Sequence, residues 1–538
     1  MRCSPAQILA LGACLARGAH AAALYESPVS IPGYGLVQGT AALNSSAAAH
    51  VPNWQNISFF GGIPYGADTS GANRWRDPQP AAPWNGTLDA SAFGDICVTD
   101  NTQLSVYSMS EDCLTINIWT PATSAGEKLP VAIWSYGDGT APPQTTYSGA
   151  GVAGKGIIFV SYNFRNDVFG FLAHPELTET SGRNASGNWG MLDQFAAVKW
   201  VHENIAQFGG DPDHISAIGQ SFGAAAVYHM VNSPLTADLG IVNAISESGV
   251  RSPRDPQVSN FECGYYNQTY AETIGSEVLT ALNVSTIAEA RLIDYETIFN
   301  ATADFNQFKP VLDYYALPAK YVTTWRNGAA NKVPYITGNN ADEDGAAGTL
   351  TTTVADYEAW LEEEYGDLAS DFLALYPAAN DSQAADAESA IVRDQFRLSS
   401  WEYMAGYANS SGGDIDTYTY YWDYATPAMG SAAHASEIVY ALGNLWLQPD
   451  VNYTSEDFYI SDVMSSYWAN FMKTGDVNDG GLYSAVNGSS SLPATWAANS
   501  ADSATTFHVG TAYGSIPVAA DEAKIALLQK FFAASTPA

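Results

Sequence analysis

The chain has 538 residues, with 56 Asp and Glu against 21 Lys and Arg and a formal charge of −35. So negative a balance excludes nucleic-acid binding through basic phosphate contacts, and it excludes docking on anionic lipid through polybasic segments. Only 14% of residues are charged while 46% are hydrophobic and 12% aromatic, which excludes a disordered chain and supplies a large core.

Residues 1–21 read as an export signal. Arg2 gives a short basic region, Ile8 to Ala16 an apolar run, and Ala19-His20-Ala21 or Ala21-Ala22-Ala23 a small-x-small cleavage site. The run is shorter than the roughly 20 apolar residues that span a bilayer. Cleavage at 21–23 leaves 22–538. Asn-x-Ser/Thr acceptors at Asn44, Asn56, Asn85, Asn184, Asn267, Asn283, Asn300, Asn380, Asn409, Asn452 and Asn487 predict N-linked glycans on a secreted protein. Loss of the signal removes Cys3 and Cys14. In an oxidising compartment Cys97 and Cys113 are then the natural pair, with Cys263 the odd thiol. No stretch reads as a transmembrane helix, and the segment Ala526 to Ala538 lacks the apolar tail of a lipid-anchor signal. The expectation is an extracellular protein with no membrane anchor.

Neither an internal repeat nor a low-complexity linker divides the rest, so one domain over 22–538 is expected. From Leu129 apolar runs alternate with helical patterns. Val131-Ala132-Ile133-Trp134 and Ile157-Ile158-Phe159-Val160 are short buried-strand runs. Met191, Phe195, Val198, Val201 and Ile205 recur at three- and four-residue steps, which predicts an amphipathic helix. His214 to Ile218 is the next predicted strand and Ala224 to Val231 the next helix. Val333 to Thr337 and Thr417 to Trp422 are later strands, and about 260–330 and 350–415 read as mainly helical insertions. Alternation of this kind predicts an α/β fold: a large, mostly parallel sheet with helices on both faces.

Between the strand at 214–218 and the following helix lies Gly219-Gln220-Ser221-Phe222-Gly223, a G-x-S-x-G pattern. A sharp turn there lifts the Ser221 hydroxyl clear of the sheet, and glycine at 219 and 223 permits close backbone packing. A serine hydroxyl needs a base to take its proton and an acid to hold that base, in the chain order Ser, Asp or Glu, His. Three histidines follow. His229 lies inside the helix after the nucleophile and reads as packing, His508 lies in a late strand, and His434 sits in the small-residue loop 430–437, where an imidazole can reach the sheet's edge. The acid lies among Asp342, Glu343 and Asp344, just after the strand ending at Thr337, and composition does not choose between them.

At this point the residues resemble the type B carboxylesterase, or cholinesterase-like, branch of the α/β-hydrolases. Matches include Phe60-Gly61-Gly62-Ile63-Pro64-Tyr65, Arg74-Trp75, Ser110-Glu111-Asp112-Cys113-Leu114, Asn163-Phe164-Arg165, Gly187 to Gln194, Phe208 to Pro212, Glu247-Ser248-Gly249, His434-x-x-Glu437 and Trp468-Ala469-Asn470-Phe471. They cover almost the whole mature chain. The resemblance implies an α/β-hydrolase fold and a Ser–Glu–His triad of Ser221, Glu343 and His434. It makes Glu437 a supporting partner linked to Ser248, and it implies the Cys97–Cys113 disulfide. The family's second disulfide has no counterpart, because Cys263 lacks a partner.

Departures from the family pattern are equally specific. Where the family's oxyanion loop usually reads [H/Y]-G-G-G, this chain has Tyr136-Gly137-Asp138-Gly139. By position the donors are the backbone N–H groups of Asp138, Gly139 and Phe222, but the Asp138 carboxylate can oppose the charge that develops on the tetrahedral intermediate. Gln220 and Phe222 flank the serine where the family commonly has Glu and Ala, and Phe222 should narrow or reshape the pocket. The segment between Cys97 and Cys113 contains no Trp, so a cation–π platform for choline is lacking and choline esters are poor substrates. The expected function is a secreted serine hydrolase of small-molecule carboxylic esters, working through an acyl-enzyme without metal or organic cofactor. The alternatives are elimination or acyl transfer on a secondary metabolite, motivated by Asp138, and a catalytically inert binding module, which would have no physical need for all three triad residues.

Overall fold

The computed structural model describes residues 22–44, 50–99, 104–137, 139–256, 264–303, 305, 308–343, 353–483 and 491–535. The expected export signal 1–21, Asp138, Cys263, Asp344 and Asn487 lie outside the described residues.

Eleven strands form the central sheet. In chain order they are β1 (Thr40–Ala41), β2 (Ser58–Pro64), β3 (Thr115–Thr120), β4 (Leu129–Ser135), β5 (Ile158–Tyr162), β6 (Gly210–Gln220), β7 (Ile241–Glu247), β8 (Tyr335–Asn340), β9 (Thr417–Trp422), β10 (Thr505–Val509) and β11 (Gly514–Pro517). Their spatial order is β11-β10-β9-β8-β7-β6-β4-β5-β3-β2-β1. The pairings from β5 through β10 are parallel. Those of β11, and of β1, β2 and β3 at the other side, are antiparallel. Every residue of β5, β8 and β9 is buried, as a parallel sheet covered on both faces requires.

Neighbouring residues on a strand point to opposite faces, and β7 shows what covers each face. The Ser246 hydroxyl donates to the Ala224 carbonyl at 3.0 Å, and the Trp468 indole donates to Glu247 at 2.6 Å. Ala224 belongs to the helix Phe222–Asn232 and Trp468 to the helix Ser455–Thr474. Four helices are numbered in chain order: α1 is Trp189–Asn204, α2 is Phe222–Asn232, α3 is Asp381–Ser410 and α4 is Ser455–Thr474. Helices therefore lie on both faces. The regions between β7 and β8 and between β8 and β9 are largely helical, including Gln268–Ala281, Tyr295–Thr302, Val354–Tyr365 and α3. Among the described residues no helix is long and apolar enough to cross a membrane.

One strand reading needed correction, and the strands before Leu129 went unread. The strand expected at Val333 to Thr337 starts at Tyr335 and runs on to Asn340, so Gly338-Asn339-Asn340 is ladder and not loop. Asparagine is a poor strand former by propensity. Here Asn339 and Asn340 face Tyr421 and Trp422 in register, and the Asn339 amide oxygen accepts from the Ser400 hydroxyl while the Asn340 amide donates to the Ala433 carbonyl. The antiparallel strands before Leu129 escaped the periodicity reading because β2 contains Gly61, Gly62 and Pro64, and its pairing with β3 slips between Phe60 and Ile63.

Several family-like motifs turn out to be scaffold. Arg74 grips both oxygens of Glu111, at 2.6 and 2.5 Å, and Arg165 grips Asp193, both contacts at 2.7 Å. All four side chains are buried. A buried, doubly hydrogen-bonded ion pair fixes register more surely than it adds stability. Cys97 and Cys113 are joined by a disulfide with a Cα–Cα separation of 5.0 Å.

Candidate active site

β6 ends at Gln220 and α2 begins at Phe222, so Ser221 alone makes the turn. Its φ of 60° with ψ of −124° is a strained backbone for a residue with a Cβ. Strain of this kind costs about 1–3 kcal/mol and persists only where surrounding contacts impose it. Three such contacts are present: the Ser221 N–H donates to the Glu247 carbonyl at 2.9 Å, and the Ser221 carbonyl accepts from Ala224 and Ala225 at 2.9 and 3.2 Å. Glycine is required beside it, since a Cβ on Gly223 would lie 1.9 Å from the Ser135 carbonyl oxygen. Gly137 leaves similar room: a Cβ there would sit 3.0 Å from the Ser221 Cβ.

The parallel topology brings three loops to one rim of the sheet, beyond the carboxyl ends of β6, β8 and β9. Ser221 follows β6, Glu343 follows β8 and His434 follows β9. The His434 Nδ1–H donates to Glu343 Oε2 at 2.5 Å, and Glu343 Oε1 accepts the Asn340 N–H at 2.9 Å. Burial alone would push the Glu343 carboxyl up. The His434 charge and hydrogen bonds from His434, Asn340 and Ser248 outweigh burial and hold it below its ordinary value. With Nδ1 protonated, His434 Nε2 is an acceptor, and the Gln220 amide nitrogen lies 3.1 Å from it. The imidazole thus meets the residue directly before Ser221, and Ser221 is 8% exposed.

Two of the other candidates, Asp342 and His508, are engaged elsewhere. Asp342 pairs with Arg393 at 2.5 Å and accepts the Ala432 N–H at 2.9 Å, which pins the His434 loop to the end of β8. His508 pairs with Asp423 at 2.8 Å. Of the expected oxyanion donors, Phe222 opens α2, at the positive end of the helix dipole, and Gly139 lines the cavity beside it. Asp138, which motivated altered chemistry, is outside the described residues.

Behind His434 lies a second layer of carboxyls that charge counting did not reveal. Asn340 donates through its amide to Glu437, and Ser248 Oγ lies 3.5 Å from Glu437 Oε1. Glu247 is buried next to Glu437. Burial first, then repulsion from Glu343 on Glu437 and from Glu437 on Glu247, raises both pKa values above the ordinary range. The native state therefore keeps protons that an unfolded chain releases above about pH 4.3. Stability from these two groups is fully present below that pH and is lost as pH rises through their folded pKa values. The apparent Tm should fall between pH 5 and 8, and Glu437→Gln, which copies the protonated acid, should flatten that fall by on the order of a few degrees. Calorimetry over that range checks it; equal slopes in the two proteins would mean that Glu437 titrates as an ordinary surface acid.

A cavity of about 360 Å³ opens against Gly137, Gly139 and Phe222. Phe222, 38% exposed, forms part of its wall. His229 also lines it, although its place inside a helix reads as packing. The missing signal was available: Phe222, Ala225, Ala226 and His229 share one stripe of α2. Gln220, noted only as a departure from the family pattern, and Asn340 were given no role, because an amide's role depends on which two groups it is placed between.

The sequence profile described as the Carboxylesterase family matches residues 29–516. A fumonisin B1 esterase of Sphingopyxis macrogoltabida is 33% identical over 451 residues, spanning 79% of this chain and 80% of its own. A para-nitrobenzyl esterase of Bacillus subtilis is 30% identical over 466 residues, spanning 82% and 89%. Among solved structures, a PNB esterase superposes with a TM-score of 0.73 at 25% identity, covering 93% of this chain and 99% of that one.

Proposed function

The chain belongs to the carboxylesterase family of α/β-hydrolases, a serine hydrolase of the carboxylesterase type, and on that premise we propose that it is a secreted enzyme cleaving small-molecule carboxylic esters through Ser221, His434 and Glu343. The observation that carries this reading is the hydrogen-bonded run from Glu343 through His434 to Gln220, beside the strained turn at Ser221.

In the proposed cycle His434 Nε2 releases the Gln220 amide and takes the Ser221 proton as Oγ adds to the ester carbonyl carbon. Glu343 stabilises the imidazolium that forms. The carbonyl oxygen becomes an oxyanion received by the N–H groups of Phe222 and Gly139, the first of them at a helix N-terminus. Collapse of the intermediate breaks the bond to the alcohol, whose oxygen takes the proton from His434. Water, deprotonated by the same imidazole, then releases the acid and restores Ser221.

Secretion and N-glycosylation belong to the same proposal. The side chains of Asn44, Asn85, Asn184, Asn267, Asn283, Asn300, Asn380, Asn409 and Asn452 are all exposed, and Asn56 is half-buried. A disulfide between Cys97 and Cys113 suits an oxidising compartment.

A fluorophosphonate tests the covalent step directly. Ser221 Oγ should displace fluoride and add one equivalent of phosphonate, located by mass spectrometry on the peptide bearing Ser221. Labelling at another residue, or none, would reject the acyl-enzyme reading.

A further inference from the structure

The end of β6 places a second side chain against the base. Gln220 is the last ladder residue of that strand, in register with Glu247 on β7, and it is buried. Its amide turns one end to each side of the site. The nitrogen lies 3.1 Å from His434 Nε2. The oxygen lies toward Gly137, where a Cβ would come within 3.2 Å of it and within 3.0 Å of the Ser221 Cβ. The residue before the nucleophile thus touches the base at the atom that has to receive the Ser221 proton.

The direction of that contact follows from the other ring nitrogen. Glu343 takes the Nδ1–H, so Nε2 carries a lone pair and the Gln220 N–H donates to it. Such a bond exists only while the ring is neutral, and a hydrogen bond made to one protonation state favours that state. A carboxylate in the same place would accept from Nε2–H and add a negative charge, and both effects favour the imidazolium. An imidazolium cannot act as general base.

The surroundings push toward protonation. Among the described residues, Glu343 follows β8, Glu437 lies three residues along the His434 loop, and Glu247 on β7 is buried next to it. Tyr420 on β9 stays neutral, and Asp342 has Arg393 of α3 as its partner. The whole chain adds a formal charge of −35, whose field holds protons on a nearby base. The site limits this pull in two ways. Glu437 is pushed up to about 7 by burial and by Glu343, so it carries little charge in the acid range, and position 220 holds an amide that carries none.

Resting on the esterase reading above, we propose that Gln220 is a positioning residue that keeps His434 neutral, with Nε2 able to accept, at acidic pH where a carboxylate in its place would leave the ring protonated. The working range of the enzyme then extends further toward acid than its negative surroundings alone would allow.

The test follows two rates from about pH 4.5 to 9 in the native enzyme, Gln220→Glu and Gln220→Leu. One is kcat/KM for p-nitrophenyl acetate, which has no group that titrates there. The other is the second-order rate of fluorophosphonate labelling at Ser221, and labelled sites normalise both. In Gln220→Glu the midpoint of the acid limb should rise by about one pH unit or more, so that below the native midpoint the variant is slower by about tenfold or more. Gln220→Leu removes the N–H without adding charge. Its plateau kcat should fall about two- to tenfold, the effect of one hydrogen bond, with KM nearly unchanged and a smaller rise of the midpoint. A pH midpoint is read within each protein, so a partly damaged variant still reports it. Coincident midpoints in the native enzyme and Gln220→Glu, an equal rise in both variants, or a native plateau in Gln220→Leu would each overturn the proposal. If Ser221 of the native enzyme takes no phosphonate, the esterase reading itself fails and this one with it. Labelling with coincident pH profiles removes the Gln220 proposal alone.

Discussion

Ser221→Ala should lose about 10⁴- to 10⁶-fold in kcat on p-nitrophenyl esters, the range seen when a nucleophile is removed from a working triad. Only the reacting atom disappears. The contacts that hold the turn run through the Ser221 backbone, to Glu247, Ala224 and Ala225, and alanine keeps all of them. The variant should therefore fold with an apparent Tm close to the native value, so lost turnover reports chemistry and not unfolding. A small residue of activity is expected, because the helix-terminal donors and the cavity still bind and polarise a carbonyl without a nucleophile. Steady-state turnover with active-site titration measures the loss. Undiminished turnover would place the nucleophile elsewhere in the molecule and leave the strain at Ser221 without a catalytic reason.

The parts of this architecture that were legible in the sequence are those with a local physical signature. β9 lies at Thr417–Trp422 as the apolar run predicts, and the helix read from Met191 to Ile205 lies within one turn of α1 and its 3-10 extension, Ile205–Phe208. A turn between a strand and a helix singled out Ser221 by itself. The choice of Glu343 over Asp342 was not local. Both are acidic and adjacent, and what separates them is that Asp342 faces Arg393 on α3 while Glu343 faces His434. Both partners come from distant segments, so only the family resemblance selected between the two acids. His229 packs inside α2 as read, and that it also lines the cavity was hidden for a related reason. A histidine on a buried helix usually packs, and the cavity it faces is enclosed in part by residues such as Phe308, 79 positions away, in a segment whose periodicity is too weak to place.

Glu343→Gln should lower kcat by about 10³- to 10⁴-fold while leaving the fold intact, and the expectation follows from the direction of each hydrogen bond. In the native site the two oxygens of Glu343 are turned to different donors, Oε1 to the Asn340 N–H and Oε2 to His434 Nδ1–H, with Ser248 adding a further hydrogen bond. A glutamine has one oxygen and one NH₂. Asn340 offers only an N–H, so the amide oxygen must turn to it, and the NH₂ then faces His434. Nδ1 is forced to accept, which moves the ring proton to Nε2. There it points at the Gln220 amide nitrogen, a donor opposite a donor. The imidazole can no longer take the Ser221 proton, and no carboxylate remains to stabilise the imidazolium. Glu343→Asp, shorter by one methylene but still able to accept twice, should retain far more activity than Glu343→Gln if tautomer control is the main effect. The ordering of the two variants in kcat, with matched Tm values, is the measurement. If glutamine proved as active as the native enzyme, Glu343 would be a packing acid, and some other group would have to orient His434.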